Sequence, residues 1–286
     1  MHEPRRARVV ARPAAVRLAL ACAVASLWLA PQGAAAQGKL EAHYEASLAG
    51  IPIGKGTWAI EITDDAYSAA AQGATAGLLR AFSGGTGNGS AQGRVVNGVL
   101  VPASYLASIK SKKSETIRIN LAGGNVKDFA IEPEPPVDAD RVVVTEAHRK
   151  GVVDPMTSSL VRVAGNGDVL SAEACRSGSS VFYGRLRYDL KLDFKRMETV
   201  KAEQGYHGPA VVCAIYFTPI AGYIADRPII KYLSVERKME ITLVPIAGTR
   251  IMVPFRLYIP TPFGPAVLEA TQFNTVAMPP RVAKTQ

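Results

Sequence analysis

The sequence predicts a mainly β protein, a large curled antiparallel sheet or open β-barrel of about 12 to 14 strands with one or two short helices. The first observation is that apolar and polar residues alternate in many short segments, which is the period of a half-buried strand. The second is that Gly, Pro, Asn and Asp residues separate these segments, as expected for turns. The third is that strands do not alternate with long helical patterns, which argues against a doubly wound α/β fold and favours a curled sheet.

The first strands are predicted to form a meander of hairpins, with strands over 39–50, 56–63, 67–75, 116–121 and 126–131. Gly50–Gly54 supplies the first turn, and Asn97-Gly98 predicts a hairpin because both residues tolerate the positive φ of a type I′ turn. The stretch 83–93 holds five glycines and predicts a flexible hairpin tip. A phosphate-binding loop would require a following helix and a Lys-Ser or Lys-Thr pair.

The middle of the chain predicts a loop and then a helix. The prolines within 132–136 cannot pair in a sheet, so residues 132–150 are expected to form an exposed loop. Asp154 and Pro155 predict a helix start, because Asp is a good N-cap and proline at the next position loses no hydrogen bond. The helix is expected to continue to about Val163 and to end at Gly165–Gly167.

The C-terminal half predicts strands again, over 187–194, 211–217, 237–244, 250–259 and 266–276. The first of these places charged residues of alternating sign on one face, which is typical of a solvated sheet face. In the second, Cys213 lies on the apolar face. The segment Pro260–Pro265 predicts a rigid turn, residues 37–278 form one predicted β-rich domain, and residues 279–286 form a flexible tail.

The N-terminus predicts a cleavable secretory signal peptide over residues 1–36. Five arginines precede Leu18–Ala30, a segment of 13 uncharged residues that is too short for a transmembrane helix but suits a signal sequence. Ala34–Ala36 supplies the small residues of a cleavage site, so we expect cleavage after Ala36, export by the general secretory route and a periplasmic protein. An uncleaved anchor and a lipoprotein at Cys22 are the alternatives.

Composition limits the kinds of partner. The chain has 33 basic and 24 acidic residues, and the leader takes five Arg and one Glu, which leaves 28 and 23. This mild charge, without a basic stripe carrying aromatics, argues against nucleic-acid binding; no further membrane span is present after cleavage. Cys175 and Cys213 predict one disulfide in an oxidising compartment, with two buried free thiols as the alternative. No metal or cofactor site is predicted, because the His and Cys residues lack ligand spacing.

Several segments carry a family resemblance: Tyr44–Gly54, Gly151–Met156, Val181–Leu190, Cys213–Tyr223 and Thr261–Gly264. In this order along the chain they resemble the bacterial envelope family known as domain of unknown function 3108. The resemblance implies an exported β-rich protein without an assigned reaction. It also implies a distant similarity in fold to the outer-membrane lipoprotein carriers, whose half-open barrels hold acyl chains, although fold does not settle function.

Two hypotheses for function follow. The first is a non-enzymatic periplasmic protein that supports the cell envelope by binding a lipid, another amphipathic ligand or an envelope protein. The candidate ligand-binding residues are Arg185, Arg187, Tyr188, Tyr216 and Tyr223; ordinary packing and surface ion pairs are the alternative explanation for them. The second hypothesis is a hydrolase acting on envelope glycans or lipids, with Glu41, Glu45, Asp189 and Asp193 as candidate carboxylates. No catalytic residue is assigned, because no G-x-S-x-G motif is present.

Overall fold

The structure, a computed structural model, describes residues 37–77 and 84–279. These residues form one large antiparallel sheet of 15 strands that does not close on itself, which confirms the predicted fold class. The strands are β1 (Gly38–Leu48), β2 (Ile51–Ile62), β3 (Ala66–Thr75), β4 (Thr86–Val96), β5 (Val99–Lys110), β6 (Ser114–Ala122), β7 (Asn125–Glu132), β8 (Val161–Arg162), β9 (Gly178–Tyr183), β10 (Leu186–Lys201), β11 (Gln204–Gly205), β12 (His207–Ala221), β13 (Glu240–Pro245), β14 (Ile251–Ile259) and β15 (Ala266–Ala277).

The sheet consists of two meanders joined by the first and last strands. Strands β1 to β7 follow one another in space, and β1 pairs on its other side with β15. From β15 the sheet continues through β14, β13, β12 and β10 to β9, so β7 and β9 are its two edges. The short strands β8 and β11 lie off this path and pair with β14 and β15.

Two α-helices are present among the described residues, α1 (Pro155–Ser158) and α2 (Pro228–Val235). Asp154 caps α1 as predicted, since its side chain accepts a hydrogen bond from the Thr157 N–H. The prediction that this helix continues to Val163 was wrong, because Val161–Arg162 leave the helix to pair with β14. Helix α2 was not predicted. None of the helices that the structure describes has the length and hydrophobicity to cross a membrane.

Apolar side chains of the sheet form three clusters. One lies beneath β1 to β3 and β14, and includes Trp58 and Phe255. A second lies on the opposite face of β12 to β14, because its Leu243 and Met252 directly adjoin Val244 and Val253 of the first cluster along the strands. A third lies beneath β5 and β6. Phe182 of the edge strand β9 belongs to the third cluster and is fully buried. The sheet therefore curls until one edge packs against the inner face near the other edge.

Residues 151–158, which include α1, bridge the gap between the two edges. We call them the plug segment. Its Val152 N–H donates to the carbonyl of Gly124, in the β6–β7 turn, at 2.7 Å. Its Val153 forms a parallel bridge with Val181 of β9. The plug segment therefore contacts both edges of the sheet by backbone hydrogen bonds.

We call the junction of the two sheet edges and the plug segment the seam. Side-chain contacts also stabilise it. The Phe129 and Phe182 rings meet edge to face with their centroids 5.4 Å apart. Gly184, at φ +63°, turns the chain from β9 to β10 directly against β6 and β7, and a Cβ there would lie 3.1 Å from Ile131 Cδ1. Arg185 then pairs with Glu115 at 3.1 Å. Open ladder edges invite unwanted pairing, and here both edges are partly covered.

The glycine-rich stretch 83–93 does not form the predicted hairpin tip; most of it belongs to β4, and residues 78–83 lie outside the described residues. A Cβ at Gly89 would lie 3.2 Å from Met156 Cε in α1. Glycine within a strand often marks the close approach of another element. At Gly89 it gives α1 room to pack on the inside of the sheet.

One predicted turn differs from the structure, and the predicted loop over 132–150 is largely exposed as expected. The turn expected over Gly50–Gly54 is shorter, because β2 already begins at Ile51. The loop expected over 132–150 is anchored, since Val142 N–H donates to the Tyr223 carbonyl at 2.9 Å. Its last residues form a short 3₁₀ turn at Glu146–Arg149. The Asn97-Gly98 hairpin lies where it was predicted, with positive φ at both residues.

Cys175 and Cys213 form the predicted disulfide, with their Cα atoms 5.5 Å apart. Cys213 lies in β12 and Cys175 in a 3₁₀ turn (Ala172–Cys175), and both are buried. The bond joins the connection before β9 to the centre of the second meander.

Candidate functional site

Two adjoining hollows lie on the outer face of β1 to β5, and we call them together the trough. Along β1, Leu40 and Ala42 are buried in the core, whereas Lys39, Glu41 and His43 point to the other face and line these hollows. One hollow has a volume of about 740 Å³ and the next, on the same five strands, about 510 Å³. The trough spans five strands, or about 19 Å across the strand direction.

The floor of the trough is neutral. Apart from Lys55 and Glu61 at its ends, the exposed side chains of β2 to β4 that line it are small or carry a hydroxyl or amide group, and include Thr57, Ala59, Ala70, Gln72, Asn88 and Ser90. Hydroxyl and amide groups both donate and accept hydrogen bonds. The floor therefore suits a ligand with neutral polar groups, while the alanines let an apolar segment approach the backbone closely.

Most charged residues lie toward the two ends of the trough, and Glu41 of β1 lies between these ends beside Ala59. At one end Lys39 pairs with Glu61 at 3.0 Å. At the other end His43 and Lys110 line the larger hollow, and Lys55 pairs with Glu45 at the longer distance of 3.8 Å. Exposed pairs of this kind contribute little stability. The cations at this second end are therefore accessible to an anionic group of a ligand.

A chain of buried polar groups lies on the inner face, beneath the seam. Asp154 is fully buried, and its carboxylate accepts hydrogen bonds from the Thr157 N–H at 2.8 Å and the Thr157 hydroxyl at 2.6 Å. The Tyr67 hydroxyl lies 2.7 Å from the Thr157 hydroxyl. A threonine hydroxyl has one proton, so when Thr157 donates to Asp154, Tyr67 donates to Thr157. These hydrogen-bonded side chains hold α1 against β3.

Burial shapes the titration of this inner cluster. Burial raises the pKa of Asp154 above its ordinary value, although the hydrogen bonds from Thr157 oppose the shift. Burial also raises the pKa of Tyr67 and Tyr105 and raises the pKa of Tyr188 to about 12. Asp154 contributes a smaller electrostatic increase to all three tyrosines. None of these four groups lines the trough.

The structure distributes the predicted ligand residues over three places. Tyr188 lies on the inner face against Phe217, with ring centroids 5.5 Å apart. Arg185 lies in the seam, and Tyr216 lies on the outer face near Lys191, whose Nζ is 5.8 Å from the ring centroid.

Two of the predicted ligand residues have contacts that already explain their positions. The Arg187 guanidinium donates to Asp189 at 2.7 Å and to the Tyr188 carbonyl. The backbone of Tyr223 anchors the 132–150 loop. The five predicted residues therefore do not converge on one pocket, and their role in ligand binding stays a prediction.

The candidate carboxylates of the hydrolase hypothesis also occupy ordinary positions. Asp189 accepts hydrogen bonds from Arg187 and Ser180, and Asp193 pairs with Lys191 at 3.2 Å. Glu41 and Glu45 lie four residues apart on one face of β1, a separation of roughly 13 Å along a strand. Paired glycosidase carboxylates lie roughly 5 to 9.5 Å apart.

Sequence reasoning missed the trough. Its lining comes from five strands, and no one of them carries a motif. A signal was present nevertheless, because the solvent-facing positions of β3 and of residues 86–92 in β4 carry Ser, Ala, Gln, Thr and Asn instead of the Lys and Glu that usually cover an exposed sheet face.

Comparisons with known proteins show the family to which the sequence is similar. The family model described as "Protein of unknown function (DUF3108)" matches residues 43–271. No curated protein matches the chain. Among solved structures, a β-barrel-like protein of the domain of unknown function DUF1849 from Brucella abortus is similar at 9% sequence identity and a TM-score of 0.43, with 85% of this chain and 99% of that chain covered.

Proposed function

The chain belongs to the DUF3108 family of proteins of unknown function, and we propose that it is a non-enzymatic periplasmic protein that binds an amphipathic ligand of the cell envelope in the trough. The observation that carries the proposal is the hollow of about 740 Å³ on the outer face of β1 to β5, with its neutral floor and basic end. This volume lies within the range of about 300 to 1,000 Å³ that small-molecule sites occupy.

The lining supports one class of ligand. The hydroxyl and amide groups of Thr57, Gln72 and Asn88 provide hydrogen bonds for a neutral polar body such as a sugar. His43, Lys55 and Lys110 lie at the same end of the trough and complement an anionic group such as a phosphate or carboxylate. A glycolipid or an acidic lipid headgroup combines these features.

Two observations support the periplasmic part of the proposal. The N-terminal residues carry the charge and length pattern of a signal peptide. The disulfide between Cys175 and Cys213 is buried in the core, and disulfides persist in oxidising compartments such as the periplasm. These observations are independent of the trough.

Native mass spectrometry with lipid extraction tests the proposal on residues 37–286 purified from periplasm. We expect a near-stoichiometric envelope ligand on the wild-type protein and its loss from Ala70→Trp. Ala70 lies in the smaller hollow, two residues from Gln72 of the larger one on the exposed face of β3, so an indole there obstructs both. The matched control is Ala130→Trp, an exposed alanine of β7 outside the trough, which should retain the ligand.

Three results would contradict the proposal. They are a ligand-free wild-type protein, equal ligand occupancy in the Ala70→Trp and wild-type proteins, and recovery of a cleaved envelope glycan or lipid from incubation with the protein. The last result would instead support the hydrolase hypothesis. The circular dichroism of both variants should match that of the wild-type protein, since both alanines are exposed.

A further inference from the structure

A second surface lies at one end of the barrel, where the β1–β2 and β14–β15 turns meet. We call it the rim tip, and its exposed residues are Ile51, Pro52, Pro262, Phe263 and Pro265. Phe263 is 81% exposed and Ile51 is 54% exposed. Apolar groups concentrated at an exposed projection of the surface are typical of an interaction site.

The backbone holds the rim tip in place. The Ala49 N–H donates to the Pro265 carbonyl at 2.8 Å, which ties one turn to the other. The Thr261 hydroxyl donates to the Gly264 carbonyl at 2.6 Å. Gly264 packs so closely on Ala49 that a Cβ at Gly264 would lie 2.6 Å from the Ala49 Cβ. Phe263 is therefore presented to solvent by a braced turn.

The same end of the barrel carries positive charge. Because neighbouring strands are antiparallel, the β5–β6 turn lies at this end too, and it presents three exposed lysines, Lys110, Lys112 and Lys113. Nearby ions are paired, Lys55 with Glu45 and Arg185 with Glu115. Among the described residues, the three lysines have no carboxylate within 4.0 Å.

We propose that this end of the barrel docks on an anionic lipid bilayer, with Phe263 and Ile51 inserted at the interface and the lysine turn against the headgroups. The β1–β2 and β5–β6 turns are roughly 14 to 19 Å apart along the rim. The rim tip is small, and the lysine turn is separate from it. A stable protein interface buries about 800 Å² on each partner, so these two small features suit an extended anionic surface better than a protein partner. Phe inserts at bilayer interfaces, and anionic headgroups attract lysines.

This docking does not depend on ligand binding in the trough. Co-sedimentation of residues 37–286 with vesicles of phosphatidylcholine, with and without phosphatidylglycerol, provides the test. We expect binding to the phosphatidylglycerol vesicles that weakens as salt is added. Phe263→Ala should weaken this binding about tenfold or more, because it removes an inserted aromatic ring. The double variant K112Q/K113Q should weaken it about thirtyfold, because each lysine near the surface contributes about 1 kcal/mol.

Matched variants control for nonspecific effects. Phe194→Ala removes a phenylalanine of β10 that is 44% exposed and distant from the rim tip, and Lys127→Gln removes an exposed charge of β7; both should bind as the wild-type protein does. Ala70→Trp should also bind vesicles normally, which separates docking from the trough. Absence of binding to phosphatidylglycerol vesicles, or wild-type binding by Phe263→Ala and K112Q/K113Q, would overturn the proposal.

Discussion

Replacing Gly184 by alanine should destabilise the protein by closing space at the seam. Gly184 has φ +63°, and a non-glycine residue in this left-handed conformation costs about 1 to 2 kcal/mol. The new methyl group would lie 3.1 Å from Ile131 Cδ1 and 3.2 Å from Ile117 Cγ2, and overpacking of this kind costs about 1 to 3 kcal/mol more. We therefore expect Gly184→Ala to lower the free energy of unfolding by about 2 to 5 kcal/mol.

Gly123 supplies the matched control. Its φ is +59°, nearly that of Gly184, but a Cβ there would meet no atom within 4 Å. Gly123→Ala should therefore cost only the conformational part, about 1 to 2 kcal/mol. The difference between the two variants isolates the contact between the β9–β10 turn and β6 and β7.

Urea unfolding followed by fluorescence measures both variants. Trp58 is buried in the core and is the one tryptophan of residues 37–286. Hydrogen exchange adds a local readout, because the Phe182 amide donates to the Val153 carbonyl across the seam at 2.9 Å; we expect it to exchange faster in Gly184→Ala. Equal losses of stability in the two variants would refute the steric argument.

Three further predictions concern the core. The double variant C175A/C213A should lose about 4 kcal/mol of unfolding free energy, the chain-entropy cost for a 38-residue separation; reductant should destabilise the wild-type protein but not this variant. Thr157→Val should cost about 2 to 4 kcal/mol in urea unfolding, because it leaves Tyr67 and Asp154 without their shared partner, and a loss below about 1 kcal/mol would contradict the hydrogen-bonded chain. Burial raises the pKa of Asp154 above its ordinary 3.8. Its carboxyl group therefore favours folding at low pH, and this stability is lost as the pH rises through the raised pKa. Relative to Asp154→Asn, the wild-type protein should lose stability as the pH increases from about 4, and parallel pH profiles of the two proteins would contradict the assignment.

The alternation of apolar residues predicted the sheet because it reports directly which face of a strand is buried. The Asn97-Gly98 hairpin and the cap at Asp154 were also predictable, since both depend on local backbone chemistry. The Cys175–Cys213 pair needed only the even count of cysteines and the expected compartment.

Other features depend on contacts between distant parts of the chain. Gly89 resembles a loop glycine in the sequence, and its place in a strand follows from Met156 of α1, which packs against it. The end of α1 at Ser158 is set by the pairing of β8 with β14, which overrides the local helix signal. The trough was missed for a similar reason: its small solvent-facing residues were visible in the sequence, but only the register of five strands places them together.

The pairing of β1 with β15 has a consequence for the time course of folding. Gly38 lies opposite Ala277, so the first and last strands of the domain complete the middle of the sheet together. A chain synthesised from its N-terminus produces β1 long before its partner. Until the last strand arrives, β1 has one unpaired edge, and contacts of such large sequence separation form slowly. The nascent chain therefore presents an open strand to its surroundings during that interval, when protection by a chaperone has the greatest value.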